Sequence, residues 1–202
     1  KKALYYEKSL FRFEEQLLKG INIPDTIEKT ILGNLRKYPE EVLNFLNLAS
    51  LIGMEFDLDS IKFLTGYEED KTFESLFILL KDRILIQAQK RLNSLAYAFA
   101  TPTLQSLIYK NFVGDKEALH RKLAYFLEGR KSRGEEIETE EIASHFIFSD
   151  DYFKAYDYSL ICAIKNQKDL DFPQALKYLE KALAAAEKLP DEKEKSKRTA
   201  QA

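Results

Sequence analysis

Two five-residue runs, Ile84-Leu85-Ile86-Gln87-Ala88 and Leu95-Ala96-Tyr97-Ala98-Phe99, interrupt a chain that is patterned mostly as helix. Both are rich in strand-forming residues, and they flank the polar turn Lys90-Arg91-Leu92-Asn93-Ser94. They pair most simply as a β-hairpin. The fold is thereby confined to a mainly α class carrying one small antiparallel element.

The segments around the hairpin predict how it is built in. Residues Lys1 to Lys19 carry Leu4, Tyr5, Leu10, Phe11, Phe13, Leu17 and Leu18, a mixed pattern that suits a helix only in its second half. Residues 1–22 are therefore a lead-in helix or linker. Ile23-Pro24-Asp25-Thr26 is a helix start, with Pro24 fixing an extended approach and Asp25 or Thr26 able to cap. Ile27, Ile31, Leu35 and Tyr38 then keep helical spacing up to Pro39. Val42, Leu43, Phe45, Leu46, Leu48, Ala49 and Ile52 are apolar nearly all round, which predicts a central buried helix. After Gly53, Phe56 and Leu58 make a short extended link, and Asp59 is expected to cap a brief helix holding Ile61, Phe63 and Leu64. Phe73, Leu76, Phe77, Leu79 and Leu80 define a further helix from Glu69 to Asp82. Beyond the hairpin, Thr101-Pro102 opens a helix through Leu104, Leu107, Ile108 and Phe112. Helices ending in a two-stranded wing are the winged-helix plan, here spanning 23–113.

Residues 114–202 read as helical throughout, with breaks at Gly114, from Gly129 to Gly134, at Asp150 and at Lys168-Asp169. Phe172, Ala175, Leu176, Leu179, Ala182, Leu183 and Ala186 hold helical spacing over four turns, and the small residues admit a close neighbouring helix. The string Ala175-Leu176-Lys177-Tyr178-Leu179-Glu180-Lys181-Ala182-Leu183 resembles the second helix of a tetratricopeptide repeat. The helix before it fits less well, with Asn166 where an aromatic is usual. Solenoids need several units, so further repeats are expected beyond Ala202.

Taken in order, Ile23-Pro24-Asp25-Thr26-Ile27, Leu48 to Phe56, Leu79 to Leu85, Ile108-Tyr109, Ala118 to Ala124 and Ile142 to Phe146 resemble the region downstream of the nucleotide-binding domain in bacterial STAND-class signal-transduction ATPases. The resemblance covers roughly Ile23 to Leu189. It implies a winged-helix module packed on an upstream P-loop ATPase, followed by helical repeats that sense a ligand or a protein or peptide partner. Effectors in that family include nucleotide cyclases, protein kinases and transcription activators. Thr101 departs from it, standing where relatives often carry a histidine just after the wing. No nucleotide-sensing role is assigned there.

The residue inventory narrows function further. None of the seven glycines is followed by lysine and a hydroxyl residue, so the P-loop pattern is absent and ATP with magnesium is expected only in an upstream domain. Lys1 rather than Met begins the sequence, and a charged run from Glu192 to Arg198 nearly ends it, which reads as an excised piece. Cys162, His120 and His145 are the only soft metal ligands, and their separations do not match local metal motifs, so packed, hydrogen-bonded histidines are the default. Carboxylate pairs such as Glu40-Glu41 and Glu140-Glu141 sit among lysines at helix starts, where they suit the helix dipole rather than acid–base catalysis. No catalytic residue, cofactor site or metal site is assigned.

A formal net charge of −2 offers no field for nucleic acid. The helix preceding the hairpin carries Glu68, Glu69, Asp70, Glu74 and Asp82 against Lys71, Lys81 and Arg83, which argues against DNA binding. With a single cysteine and no apolar run near the ~20 residues that span a bilayer, the expectation is a soluble cytoplasmic protein. Tyr152, Phe153, Tyr156, Tyr158 and Phe172 are the candidate partner-binding residues, as an aromatic-lined surface on a helical array, with core packing as their other use. A regulatory segment of a signalling ATPase is the first functional expectation. A free-standing peptide-binding array is the alternative.

Overall fold

A computed structural model describes residues 4–7, 10–13, 25–89 and 95–189. The chain divides into two compact units, Lys1–Pro39 and Glu40–Ala202. In the first, β1 (Leu4–Glu7) pairs antiparallel with β2 (Leu10–Phe13), Tyr6 lying opposite Phe11. Residues 10–13 were expected to open the helical half of the lead-in, yet they form strand. Their aromatic composition, Leu10-Phe11-Arg12-Phe13, favours a pleated surface once a partner strand is present. The rest of that expected helix, 14–19, lies outside the described residues. Helix α1 (Asp25–Leu35) completes the unit, and the Tyr38 N–H closes on the Leu35 carbonyl at 3.1 Å just before Pro39.

The second unit opens with α2 (Glu40–Ile52), which buries Val42, Phe45, Leu46, Leu48, Ala49, Leu51 and Ile52 on nearly all sides. It is the central helix that its composition requires. Gly53, at φ +148°, releases the chain into β3 (Glu55–Asp57). Sequence spacing reads this stretch as a link, because three residues are too few to show alternation. It is in fact the third strand of a sheet in the order β3-β5-β4, all antiparallel, with Phe56 opposite Tyr97.

Helix α3 (Leu58–Thr65) is capped by Asp57 and not by Asp59: the Asp57 Oδ1 accepts from the Ser60 N–H at 2.8 Å. Gly66 ends it in the left-handed conformation at φ +67°. Helix α4 (Glu69–Lys81), β4 (Leu85–Gln89), β5 (Leu95–Phe99) and α5 (Pro102–Asn111) follow. The turn at 90–94, with Lys90 and Arg91, lies outside the described residues. Thr101 caps α5, its hydroxyl oxygen accepting from the Leu104 N–H at 3.2 Å. Phe56 centres the core of this half, with Phe45, Tyr97 and Phe99 ring centroids 6.2 to 6.4 Å away.

Four helices finish the unit: α6 (Lys116–Ser132), α7 (Thr139–Ile147), α8 (Tyr152–Lys168) and α9 (Phe172–Glu187). Each packs on the next, and α6 also packs on α2 and α3. Asp115, Asp151 and Asp171 cap α6, α8 and α9 through their side chains. The break expected from Gly129 comes later, because α6 runs on through Ser132 and turns at Gly134, where φ is +90°. One glycine inside a helix costs only about 1 kcal/mol, which tertiary packing overrides. On α9, Ala175, Tyr178, Ala182, Ala185 and Ala186 are buried, and Tyr178 joins Ala143, Cys162 and Ala163 in one apolar cluster. Among the described residues no helix is long and apolar enough to cross a membrane.

Candidate interaction surface and its coupling to the core

Leu123, Leu127 and Arg130 mark the buried stripe of α6, so a guanidinium occupies a place that the spacing reserves for an apolar group. Arg130 is only 9% exposed. Its Nη1 donates to both Asp57 carboxylate oxygens at 3.0 Å and to the Ser60 hydroxyl at 3.3 Å. Its Nε donates to Glu135 at 2.6 Å. Burial opposes the charge, but Glu135 and Asp57 outweigh it and hold the guanidinium pKa above its ordinary value. Alongside, Phe63 of α3 stacks on Phe126 of α6 with centroids 4.0 Å apart. The Asp57 carboxylate thus caps α3 and anchors α6 at once. A residue pair 73 positions apart leaves no local trace in the sequence beyond a charge on an apolar stripe.

A second contact of this kind joins α5, α6 and α7. The Tyr109 hydroxyl and His120 Nε2 share a hydrogen bond at 2.9 Å, and His120 Nδ1 faces His145 Nδ1 at 2.9 Å. Both histidines are buried. Burial first, and the charge of Lys116 second, push His120 down to about 4. Burial and the neighbouring ring push His145 down to about 3. Two Nδ1 atoms at this separation hold one hydrogen between them, so both rings cannot carry charge. The histidines are packed and hydrogen-bonded, against each other. No group of three potential metal ligands occurs among the described residues.

The five aromatic candidates do not form one face. Tyr156 is 2% exposed and belongs to the core. Tyr158 stacks on Phe146 at 5.1 Å and donates its hydroxyl to Glu128 at 2.8 Å, which Lys154 also reaches at 2.6 Å. Tyr152 is half-buried, with the Lys188 ammonium 5.2 Å from its ring centroid. Phe153 and Phe172 are exposed. Phe153 shares the solvent face of α8 with Ile161 and Ile164, and Phe172 shares that of α9 with Leu176 and Leu183. The branched aliphatic residues were missed by a reading that looked for aromatics. Helical spacing groups Phe172, Leu176 and Leu183 with Ala175, Ala182 and Ala186, but the structure buries the three alanines and leaves the three larger side chains exposed.

Cys162 is fully buried, and burial raises its thiol to about 11. Relative to an ordinary cysteine its thiolate fraction falls about a hundredfold at neutral pH. A thiol reagent at pH 8 is expected to label the folded chain at least that much more slowly than the unfolded chain. Labelling at the unfolded rate would contradict this burial.

No family model, curated protein or solved structure matches the chain.

Proposed function

We propose that this chain is a non-catalytic regulatory segment of a multidomain signalling ATPase. A winged-helix module and a tetratricopeptide-like array would carry partner binding to an upstream nucleotide-binding domain. ATP and magnesium would be held by that domain. The order helix, strand, two helices, two strands, with β5 central in the sheet, supports the first module. Helices α6 to α9, each packed on the next, support the array.

The observation that carries the reading is the Arg130 contact set. A displacement of α6 cannot occur without disturbing Asp57, and Asp57 starts α3 and ends β3. Binding energy at the array then has a stiff route to the sheet-bearing half. Buried ion pairs fix relative geometry better than they add stability.

In the full-length protein, Phe153→Asp with Phe172→Asp is expected to change ATP hydrolysis at least about fivefold, the low end of allosteric coupling. Phe172 is 59% exposed, so Phe172→Asp alone should leave thermal unfolding as it was and serves as the control for the pair. Calorimetric binding of ATP with magnesium to the 202-residue chain by itself would overturn the reading. A free-standing protein-binding module is the second reading, favoured by the exposed apolar residues of α8 and α9. Unchanged hydrolysis together with capture of a partner on those helices would select it.

A further inference from the structure

Helix α4 buries Thr72, Ser75, Leu76 and Leu79 on one side. On the other, Asp70, Phe73, Glu74, Phe77 and Lys81 recur at steps of three and four residues, so they share one solvent face. Phe73 is 48% exposed and Phe77 66%. A single exposed phenylalanine is ordinary on a protein surface, but two a turn apart on the outward side of one helix mark a contact face.

The charge around these rings is negative toward the helix N-terminus, at Asp70 and Glu74, with Lys81 the one cation of this face, a turn beyond Phe77. Lys71 is drawn away towards α2, where it pairs with Glu41 at 3.5 Å and covers the Tyr67 ring at 4.5 Å. Lys62 meets Glu69 at 3.2 Å. Asp70 and Glu74 have no ion-pair or hydrogen-bond partner among the described residues. The helix dipole accounts for carboxylates in the first turn, which covers Glu69 and Asp70. It does not reach Glu74, which lies in the second turn between the two phenylalanines.

We infer that this face of α4 is a protein-docking surface for an amphipathic helix whose apolar side chains are flanked by lysine or arginine. The rings supply the apolar seat, and Asp70 with Glu74 select basic flanks. The alternative occupant of a helix just ahead of a hairpin is duplex DNA. Phosphates are repelled by the same two carboxylates that attract a basic helix. This inference stands apart from the ATPase reading and from the α8 and α9 surface.

The test titrates the chain with a synthetic amphipathic peptide of leucine and lysine, its leucine–glutamate counterpart, and duplex DNA, following backbone amide resonances. Shifts confined to α4 with the lysine peptide are expected, with none from the glutamate peptide or DNA. Phe73→Ala with Phe77→Ala should weaken binding at least about tenfold, as loss of a small hot spot does. Glu74→Lys, beyond the reach of the helix dipole, should also weaken binding, while thermal unfolding stays unchanged in both variants. Shifts centred on α8 and α9, equal affinity in either variant, equal binding of the glutamate peptide, or DNA-induced shifts on α4 would each overturn the inference.

Discussion

Replacing Arg130 with methionine should lower the unfolding free energy by about 3–5 kcal/mol, the loss typical of breaking a buried ion pair from one side. Methionine keeps much of the arginine stem but removes the guanidinium carbon that lies 5.6 Å from the Phe126 ring centroid, so the loss includes that contact as well as the ion pair. What remains is the Asp57 carboxylate, 8% exposed, without the guanidinium that neutralised it. In a unit of this size the midpoint of thermal unfolding should fall about 6–20 °C. Adding Asp57→Asn removes the stranded charge while asparagine still caps α3, so part of the loss should return. By contrast, Lys62→Ala at the exposed Lys62–Glu69 pair should cost at most about 1 kcal/mol. Denaturant unfolding of the four chains decides the matter. A loss under about 1 kcal/mol for Arg130→Met would show that water replaces the guanidinium at no cost, and the coupling route through Asp57 would fall with it.

That prediction could not have been written from the sequence, and the reason is physical. The parts of the fold that were legible are those encoded within a few residues. The all-round apolar α2, the hairpin of β4 and β5, the opening of α5 at Thr101-Pro102 and the helical spacing of α9 each depend on local periodicity or on one short local motif. Strand β3 was missed because its three residues acquire their state only from β5, some 40 residues later. Asp57 was passed over for Asp59 for the same reason, since the end of β3 sets where α3 begins. Arg130 and the two histidines are contacts across tens of residues, and nothing local announces them. Of the aromatic surface, helical phase alone could have separated Tyr156, which is in step with the buried Ala155, Ser159 and Ala163, from Phe153, which is not.

Acid should loosen the second unit before its carboxylates titrate. His120 and His145 are the only histidines in the chain, so the effect has one source. Both fold as neutral rings, with pKa values of about 4 and 3 against an ordinary 6.5. Between those limits the unfolded chain binds more protons than the folded one, so stability rises with pH across the window. It is complete above about pH 7 and is lost progressively as pH falls from about 6.5 toward the folded values. At about pH 5 each histidine should have given up on the order of 2 kcal/mol. Glu41, Glu135 and Glu140 titrate below their ordinary 4.5, so they contribute nothing in the interval from 6.5 to 5. The groups facing the pair sharpen the effect: the Lys116 ammonium opposes a charged His120, and Tyr109 and Phe148 offer no anion to compensate it. Unfolding free energies measured at about pH 7.5, 6 and 5 should therefore decline steadily, with the imidazole resonances of the folded chain unmoved over the same range. Stability that is flat to pH 5, or folded-state histidines that titrate near 6.5, would mean that the pair is hydrated and open, and α5, α6 and α7 would have to meet in some other way.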